Sequence, residues 1–337
     1  MDKSITRDLT WGVDIPIKNK KLKNKKIYVW FEALIGYLSS TINYDKRKKT
    51  KWYNYWKNKK TKLIIFIGKD NIFYHSILLP IIYKSYNKKL ILPYNIPSNE
   101  FLNLEGKKIS TSKNWAVWLH DYLKYFPNMQ DILRFSLIMD MPENKDTNFT
   151  WKKFQLYNNS ILIGIIGNYY NRVIILTKKY CNNKIPNINN KKLNKFDINI
   201  IKKINKYSRY ILNLIKKFKF KLSLNYYIKL AKIGNKYLSL KQPWNIKDNK
   251  KKKIIIYISL QILGYITYLS YIFLPKTNKI LKKILFYKNY NLKKLFKKKF
   301  IINNKNKILK NIIIFKKISN KKINEQIKII NNKINDY

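Results

Sequence analysis

Residues 62–70 read KLIIFIGKD, and this stretch carries the strongest indication of the fold. Five apolar residues follow one another from Leu63 to Ile67, which is typical of a strand in a parallel sheet. The polar turn GKD ends the run, and residues 71–85 have the pattern of a helix. Ligands bind at the carboxyl ends of parallel strands, so Asp70 lies where a ligand is expected.

Two flanking segments extend this alternation of strand and helix. Residues 27–33, IYVWFEA, predict a short buried strand that ends near Trp30, and a helix is expected over 35–44. Residues 89–93 predict a third short strand. Strands that alternate with helices indicate a parallel α/β architecture.

The pattern changes after about residue 115. Apolar residues now recur at spacings of three and four, and asparagine–lysine runs separate the segments. Helices are predicted over 115–126, 131–140, 151–180, 198–220, 224–240 and 251–274. The predicted fold class is therefore α/β followed by an α-helical bundle, and the last fifty residues are left unassigned.

The chain has a formal net charge of +55, and only five of its 72 basic residues are arginine. Arginine suits planar phosphate recognition better than lysine does. We therefore interpret much of the lysine excess as drift in an AT-rich genome. A field this positive still attracts polyanions. Thirteen of the seventeen acidic residues precede residue 147, so the C-terminal half is the expected nucleic-acid face, with general attraction of polyanions as the alternative.

The single cysteine, Cys181, excludes an internal disulfide and any zinc site that needs two cysteines of this chain. No metal-ligand set is predicted. The N-terminus lacks the apolar core of a signal peptide, and a cytoplasmic location is expected. Residues 254–275 are uncharged and long enough to cross a membrane. Tyrosines are spread through them, so a buried bundle helix is the preferred interpretation.

Residues 101–118, FLNLEGKKISTSKNWAVW, contain a loop of lysines and hydroxyls that is entered through Gly106. Such a loop can close over phosphates. Its mobile charge can stabilise a transition state more than a ground state, as catalysis requires.

Two further segments contain candidate pocket residues. In VWFEALIGY, Trp30, Ala33 and Tyr37 can line a small apolar pocket with a phenol at its rim, and ordinary core packing is the alternative. In FIGKDNIFYH, a carboxylate beyond the strand can accept hydrogen bonds from a ribose, and Gly68 lets a nucleotide approach the backbone. His75 lines the same pocket or is a core group.

In this order the three segments resemble the second half of methionyl-tRNA synthetases, which are class I aminoacyl-tRNA synthetases. VWFEALIGY is similar to the family's methionine pocket, FIGKDNIFYH to its nucleotide segment and KKISTS to its KMSKS loop. GNYYNR at 167–172 and NKYLSLKQPW at 235–244 resemble its anticodon-reading segments. YIFLPKTNKI at 271–280 is similar to the end of its last bundle helix.

The resemblance implies a role for each matching residue. Trp30, Ala33, Tyr37 and His75 would bind methionine; Gly68, Asp70, Lys108 and Thr111 would bind ATP; Lys108, Ser110 and Ser112 would be catalytic; Asn168, Arg172 and Trp244 would contact the tRNA anticodon. The implied activity is the ligation of methionine to tRNA-Met with ATP and Mg2+. The implied partners are methionine, ATP and tRNA-Met, with no membrane.

The resemblance also implies five regions. They are the end of an inserted connective domain at 1–26, the second half of a Rossmann catalytic domain at 27–104, the KMSKS-type loop with a stem-contact region at 105–150, the anticodon-binding domain at 151–287 and a lysine–asparagine extension at 288–337.

The chain departs from the family pattern in three ways. Thr111 stands where a second lysine is common, and Glu32 stands where aspartate is usual. The family's first half, with its HIGH-type ATP motif and its zinc knuckle, is not represented. A separate N-terminal polypeptide, a broken gene or a misread start are the three explanations. A half sheet with an unpaired edge favours a partner or a misread gene, and a monomer or a complex with that half is the expected state.

Two other functions remain as alternatives. The first is a non-catalytic tRNA-binding remnant that keeps the bundle while the catalytic part decays. The ATP and methionine segments are as recognisable as the anticodon segments, which favours the ligase. The second alternative is a membrane protein with one span.

Overall fold

A computed structural model describes residues 4–17, 19–22, 24–189, 193–285 and 313–335. Within it the chain divides into two compact units, Met1–Phe101 and Leu102–Tyr337.

The strands of the first unit are short and pair two by two. They are β1 (Thr6–Asp8), β2 (Lys25–Ile27), β3 (Leu63–Ile64), β4 (Ile67–Gly68), β5 (Pro93–Asn95) and β6 (Ser98–Asn99). β1 and β2 are antiparallel, whereas β3 pairs with β5 and β4 with β6 in parallel. The run KLIIFIG is thus divided into two strands. The strand predicted over 89–93 begins only at Pro93.

Helices alternate with these strands, as the sequence predicts. They are α1 (Val29–Glu32), α2 (Gly36–Lys48), α3 (Tyr53–Trp56) and α4 (Leu79–Tyr86), with 3-10 turns at Lys20–Leu22 and Lys69–Asn71 and a π-helical turn at Tyr74–Leu78. The strand predicted over 27–33 is wrong beyond Ile27. The amide of Ala33 donates to the carbonyl oxygen of Val29 at 2.8 Å, so this backbone bonds locally in a helix.

The core of the first unit is small. Its buried residues are Leu34, Leu38, Trp56, Ile65, Leu79, Tyr83 and Leu90. The rings of Trp56 and Tyr83 meet edge to face at 5.6 Å, and the Tyr83 hydroxyl donates to the carbonyl oxygen of Leu34. Burial raises the pKa of Tyr83 to about 12. This core fixes α2, α3 and α4 against the strand segment that contains Ile65.

The second unit opens with a three-stranded sheet that the sequence did not predict. Its strands are β7 (Leu102–Leu104), β8 (Lys107–Lys108) and β9 (Thr147–Phe149). β7 lies between the other two, antiparallel to β8 and parallel to β9. β7 and β8 form a hairpin that includes Lys107 and Lys108, so the first part of the predicted phosphate loop is a strand and this sheet sets the base of the rest.

The remaining elements described in the second unit are helices. They are α5 (Leu119–Tyr125), α6 (Gln130–Met139), α7 (Trp151–Leu156), a π-helical segment (Tyr157–Gly167), α8 (Asn168–Cys181), α9 (Lys195–Lys216), α10 (Phe220–Lys241), α11 (Asn249–Phe273), α12 (Pro275–Ile284) and α13 (Asn320–Asn335). The helices predicted over 131–274 are confirmed, with ends that differ by a few residues. α5 begins four residues later than predicted, and α13 was left unassigned by the sequence.

Two of these helical stretches are long and apolar enough to cross a membrane, Trp151–Cys181 and Asn249–Phe273. The protein buries 89% of the most apolar window of Asn249–Phe273, and 44% of that of Trp151–Cys181. Length and composition alone are weak evidence for a span. α11 is thus a core helix of this unit, which agrees with the preferred interpretation of its sequence.

Candidate functional site

Two of the predicted pocket residues, Tyr37 and His75, form a hydrogen-bonded pair in the first unit. The Tyr37 hydroxyl lies 2.9 Å from Nε2 of His75, and Nδ1 of His75 lies 2.9 Å from the carbonyl oxygen of Asn71. A carbonyl oxygen only accepts hydrogen bonds, so Nδ1 of His75 donates to it, and Nε2 is the ring nitrogen that bonds to the Tyr37 hydroxyl. His75 is 3% exposed. Its buried ring therefore orients a phenol whose oxygen can still accept a hydrogen bond.

An aromatic stack adjoins this pair. The rings of Trp30 and Tyr74 lie 4.9 Å apart between centroids, with 20° between their planes. Trp30 is on α1, Ala33 follows that helix and is exposed, and Tyr74 precedes His75 in the π-helical turn. The π-helical turn thus places the ring of Tyr74 against Trp30 and the ring of His75 against the Tyr37 hydroxyl. Tyr74 was not among the predicted pocket residues, although it lies in the quoted FIGKDNIFYH segment.

The predicted nucleotide residues, Gly68 and Asp70, lie in contact at the end of β4. A Cβ atom on Gly68 would stand 2.6 Å from a carboxylate oxygen of Asp70, so a glycine lets the Asp70 side chain turn back over the strand end. Asp70 is exposed. The neighbouring Lys69 ammonium pairs with Glu100 at 2.5 Å and lies 4.5 Å from the ring centroid of Phe101. These contacts fix the turn that presents the carboxylate.

The phosphate loop is entered through a tight hairpin turn. Glu105 and Gly106 both have positive φ, at 47° and 83°, as a two-residue hairpin of type I′ requires. The amide of Gly106 donates to the Asn148 side chain, and the Glu105 carboxylate accepts from the amide of Trp151. Lys108 follows on β8 and is exposed. β9 and the start of α7 therefore hold the base of the loop.

The predicted catalytic hydroxyls lie together in a second, smaller hairpin. The backbones of Ser110 and Trp115 exchange two hydrogen bonds, at 2.8 and 3.1 Å. The hydroxyl oxygens of Ser110 and Ser112 are 3.1 Å apart, and the amide of Lys113 donates to the Ser110 hydroxyl. Thr111, Ser112 and Lys113 are exposed. Hydroxyl groups, a backbone amide and lysines at one exposed tip form a group of donors suited to phosphate oxygens.

The three predicted anticodon residues also come together. The Arg172 guanidinium carbon lies 5.6 Å from the centroid of the Trp244 indole, which is 44% exposed. Arg172 donates to the side chains of Asn235 and Ser239, each at 3.4 Å. The side-chain amide of Asn168 donates to the side-chain oxygen of Asn235 at 3.3 Å. A cation, two amides and an indole face therefore meet between α8, α10 and the segment after α10.

Close packing of α8 on α10 brings this cluster together. A Cβ atom on Gly234 would lie 2.3 Å from the ring of Tyr169, so only glycine admits that ring. The Tyr169 hydroxyl donates to the carbonyl oxygen of Ser259, and burial raises the pKa of Tyr169. Sequence reasoning missed Asn235 and Ser239. Their spacing of four residues inside the quoted NKYLSLKQPW segment was the available signal.

The candidate residues fall into both units. The predicted methionine and ribose residues belong to the first unit, and the predicted phosphate loop and anticodon residues belong to the second. In the described part of the chain there is no group of three or more histidine, cysteine or acidic side chains that could hold a metal ion.

A family model for class I (M) tRNA synthetases matches residues 1–174. The chain is 45% identical over 285 residues to a protein of Christiangramia forsetii and 46% identical to one of Flavobacterium johnsoniae, both named methionine--tRNA ligase. Each match covers 84% of this chain. The chain belongs to the family of class I tRNA synthetases specific for methionine.

The chain spans about 40% of the length of these relatives. Among solved structures it resembles the methionyl-tRNA synthetase of Mycobacterium tuberculosis. The TM-score is 0.75 for the free form and 0.78 for the form bound to methionyl-adenylate, at 18% identity. These matches cover 94% and 93% of this chain and 60% of the other. At that identity the likeness concerns the fold, a helix-rich chain with small sheets.

Proposed function

We propose that this chain is the C-terminal part of a methionine--tRNA ligase that activates methionine with ATP and transfers it to tRNA-Met. The observation that carries the proposal is the paired geometry of Tyr37 with His75 and of Trp30 with Tyr74. Both pairs lie inside the match to the family. A stacked apolar wall beside an oriented phenol suits the thioether and the polar end of methionine.

The nucleotide half of the reaction would use two further groups. The Asp70 carboxylate would accept hydrogen bonds from the adenosine ribose beside Gly68. The loop that contains Lys108, Ser110 and Ser112 would donate to the α-phosphate as it becomes pentavalent, with Thr111 at the ATP. Removing one such oriented contact costs roughly 3 kcal/mol of activation free energy. Mg2+ would be bound by the ATP phosphates, and we assign zinc only to the part outside this chain.

Reading of the tRNA would rest on the cluster of Asn168, Arg172 and Trp244. The two polar side chains would bond base edges, and an unpaired base would stack on the exposed indole. Stacking and edge contacts are the usual means of sequence-specific recognition of single-stranded RNA. In this proposal residues 151–287 are the anticodon-binding domain and residues 27–104 the second half of a Rossmann domain.

The proposed partner is the part of the relatives that this chain does not match. We infer that the family's first half, with its ATP-binding histidine motif, completes the catalytic domain, either as a separate polypeptide or as part of a longer chain. The exposed side chains of Ile64 and Phe66 on the strand segment support this inference, since strands of parallel sheets are normally covered on both faces. We propose a cytoplasmic location and no membrane partner.

The test separates the two halves of the reaction in an enzyme reconstituted with the N-terminal part of a relative. We expect Trp30→Ala to lower methionine-dependent ATP–pyrophosphate exchange by at least about 100-fold, two powers of ten at 1.36 kcal/mol each, and to leave tRNA binding unchanged. We expect Trp244→Ala to weaken tRNA-Met binding about 5- to 150-fold and to leave the exchange unchanged. Two variants that behave alike would contradict this division.

A non-catalytic tRNA-binding protein is the second candidate, because the cluster of Asn168, Arg172 and Trp244 lies wholly within the second unit. In that case the reconstituted protein would bind tRNA-Met and catalyse no exchange.

A further inference from the structure

A surface groove of about 900 Å³ lies between α9 and α10, apart from every candidate residue above. Its basic lining residues are Lys202, Lys206, Arg209 and Lys216, and none of its lining residues in the described chain is acidic. These four side chains are exposed and recur at spacings of four, three and seven along α9. They therefore form one positively charged face of that helix.

Three tyrosines interrupt this charge. The ring of Tyr226 meets those of Tyr207 and Tyr210 at centroid distances of 5.3 and 4.7 Å, with 89° and 73° between the planes. Lys229 lies 4.5 Å from the centroid of Tyr226. Tyr210 is 40% exposed. The cluster thus braces Tyr210 from one side and leaves part of its ring accessible.

Lysine is so abundant in this chain that a lysine-lined groove alone does not indicate a ligand. Arginine is rare, with five residues in the chain, so its position indicates more about a ligand. Of the five arginines, Arg134 donates to the carbonyl oxygen of Ile272 and Arg172 belongs to the anticodon cluster. Arg209 lies in the groove. A guanidinium matches phosphate geometry better than an ammonium does, so Arg209 beside the partly exposed ring of Tyr210 points to a phosphate ligand with bases.

We propose that this groove binds a single-stranded nucleic acid, with Arg209 and the three lysines on its phosphates and one base stacked on Tyr210. A positively charged groove with an accessible aromatic ring is an arrangement that binds such strands. The site is separate from the anticodon cluster, because Tyr226 and Ser239 stand roughly 20 Å apart along α10 at 1.5 Å per residue. The proposal therefore does not depend on the ligase function.

The experiment measures the affinity of fluorescent oligouridylate of about ten nucleotides, within the usual site size, for the full chain with Trp244→Ala in every sample. That background removes stacking at the anticodon cluster. We expect Tyr210→Ala to weaken binding about 5- to 150-fold, because a stacked base contributes on the order of 1–3 kcal/mol. Tyr210→Phe keeps the ring and should bind like the parent.

Tyr271 offers a matched control, because it is 55% exposed with Lys282 5.8 Å from its ring centroid, outside the groove. Tyr271→Ala should leave the affinity unchanged. Arg209→Ala should reduce the slope of log affinity against log salt by about one, and Arg209→Lys should retain it. Equal losses for Tyr210→Ala and Tyr271→Ala, or none for either, would overturn the proposal.

An acidic protein segment is the competing ligand for a basic groove. Oligoglutamate of the same charge should bind at least about tenfold more weakly than oligouridylate, and Tyr210→Ala should not affect it, because it has no base to stack. Equal affinity of the two probes would overturn the nucleic-acid assignment. Thermal melting of each variant checks its fold. Tyr210→Ala should change the melting temperature little, because the Tyr210 ring is 40% exposed.

Discussion

Gly234 lies on α10 with the ring of Tyr169 against its Cα, and both residues are buried. The added methyl of Gly234→Ala would overlap three ring atoms, so we expect a loss of about 1–3 kcal/mol in the free energy of unfolding. Gly164→Ala is the control, because its Cβ would make only an ordinary contact at 3.6 Å. It should stabilise the helix by about 0.5–1 kcal/mol. Urea unfolding measures both, and changes of the same sign would contradict this account.

Gly68 offers a milder change at the proposed ribose site. In Gly68→Ala the new methyl meets the Asp70 carboxylate, which is exposed and able to rotate away. We expect an unchanged melting temperature and about tenfold weaker nucleotide binding, the loss of roughly one hydrogen bond to a charged group. Asp70→Asn is the comparison, since it keeps the shape and removes the charge. Calorimetric titration of the reconstituted enzyme measures both, and full-strength binding by Gly68→Ala would contradict the ribose assignment.

For single residues, the sequence predicted membership of one site better than it predicted the contacts within that site. Arg172 and Trp244 were predicted to act together, and the structure brings them within 5.6 Å. Asn235 was not predicted, because asparagine is so common in this chain that a spacing of four residues from Ser239 was too weak a signal to single it out. Nor could the sequence indicate the tautomer of His75, which depends on a carbonyl group of a neighbouring turn.

At the scale of elements, Asp131 on α6 caps α12. Its carboxylate accepts from the amides of Lys276 at 3.2 Å and Thr277 at 2.6 Å, and it is 6% exposed. The first amides of a helix have no partner within it, so we expect Asp131→Ala to cost about 1–2 kcal/mol in the free energy of unfolding. Asp131→Asn keeps one acceptor oxygen and should cost less. Equal losses for the two variants in thermal melting would show that the cap contributes nothing.

Two buried tyrosines of α11 should make the free energy of unfolding depend on pH in the alkaline range. Burial raises the pKa values of Tyr265 and Tyr268 to about 12 from 10.0. In the unfolded chain these phenols ionise near pH 10, so unfolding releases protons between pH 10 and 12. Their contribution to stability is complete below pH 10 and is lost as the pH rises to 12. Tyr268→Phe should make the fall in stability less steep, as followed by circular dichroism, and an unchanged slope would contradict the assignment.

The spacing of apolar residues predicted the helices, whose hydrogen bonds are local. It failed for strands that pair with segments distant in the sequence. The helices after residue 131 were predicted because apolar spacing is a local signal. The sheet of β7, β8 and β9 was missed, since β9 joins β7 from more than forty residues away. Residues 29–32 were predicted as a strand, yet α1 forms there. A strand needs a neighbour, and an apolar run alone does not supply one.

On the scale of the whole molecule, the two units have unequal cores. Among its described residues the first unit buries seven apolar side chains, whereas the core of the second includes most of α11 and the faces of α8, α9 and α10 that pack against it. Large side chains of the first unit are exposed, among them Phe66 at 56%, Ile77 at 49% and Ile81 at 56%. We propose that these side chains belong to the face that binds the N-terminal half. The first unit is therefore the part whose stability we expect to depend on the proposed N-terminal half.

That expectation can be tested by hydrogen exchange on the full chain with and without a polypeptide that carries the N-terminal part of a relative. The added polypeptide should slow amide exchange over residues 63–99 at least about tenfold, equivalent to about 1.4 kcal/mol of added stability. Exchange in α10 should not change, because its protection comes from the second unit. Phe66→Asp should abolish the added protection, whereas Tyr86→Asp, at an exposed ring on α4, should leave it intact. Equal protection in both variants would show that the polypeptide does not bind at Phe66.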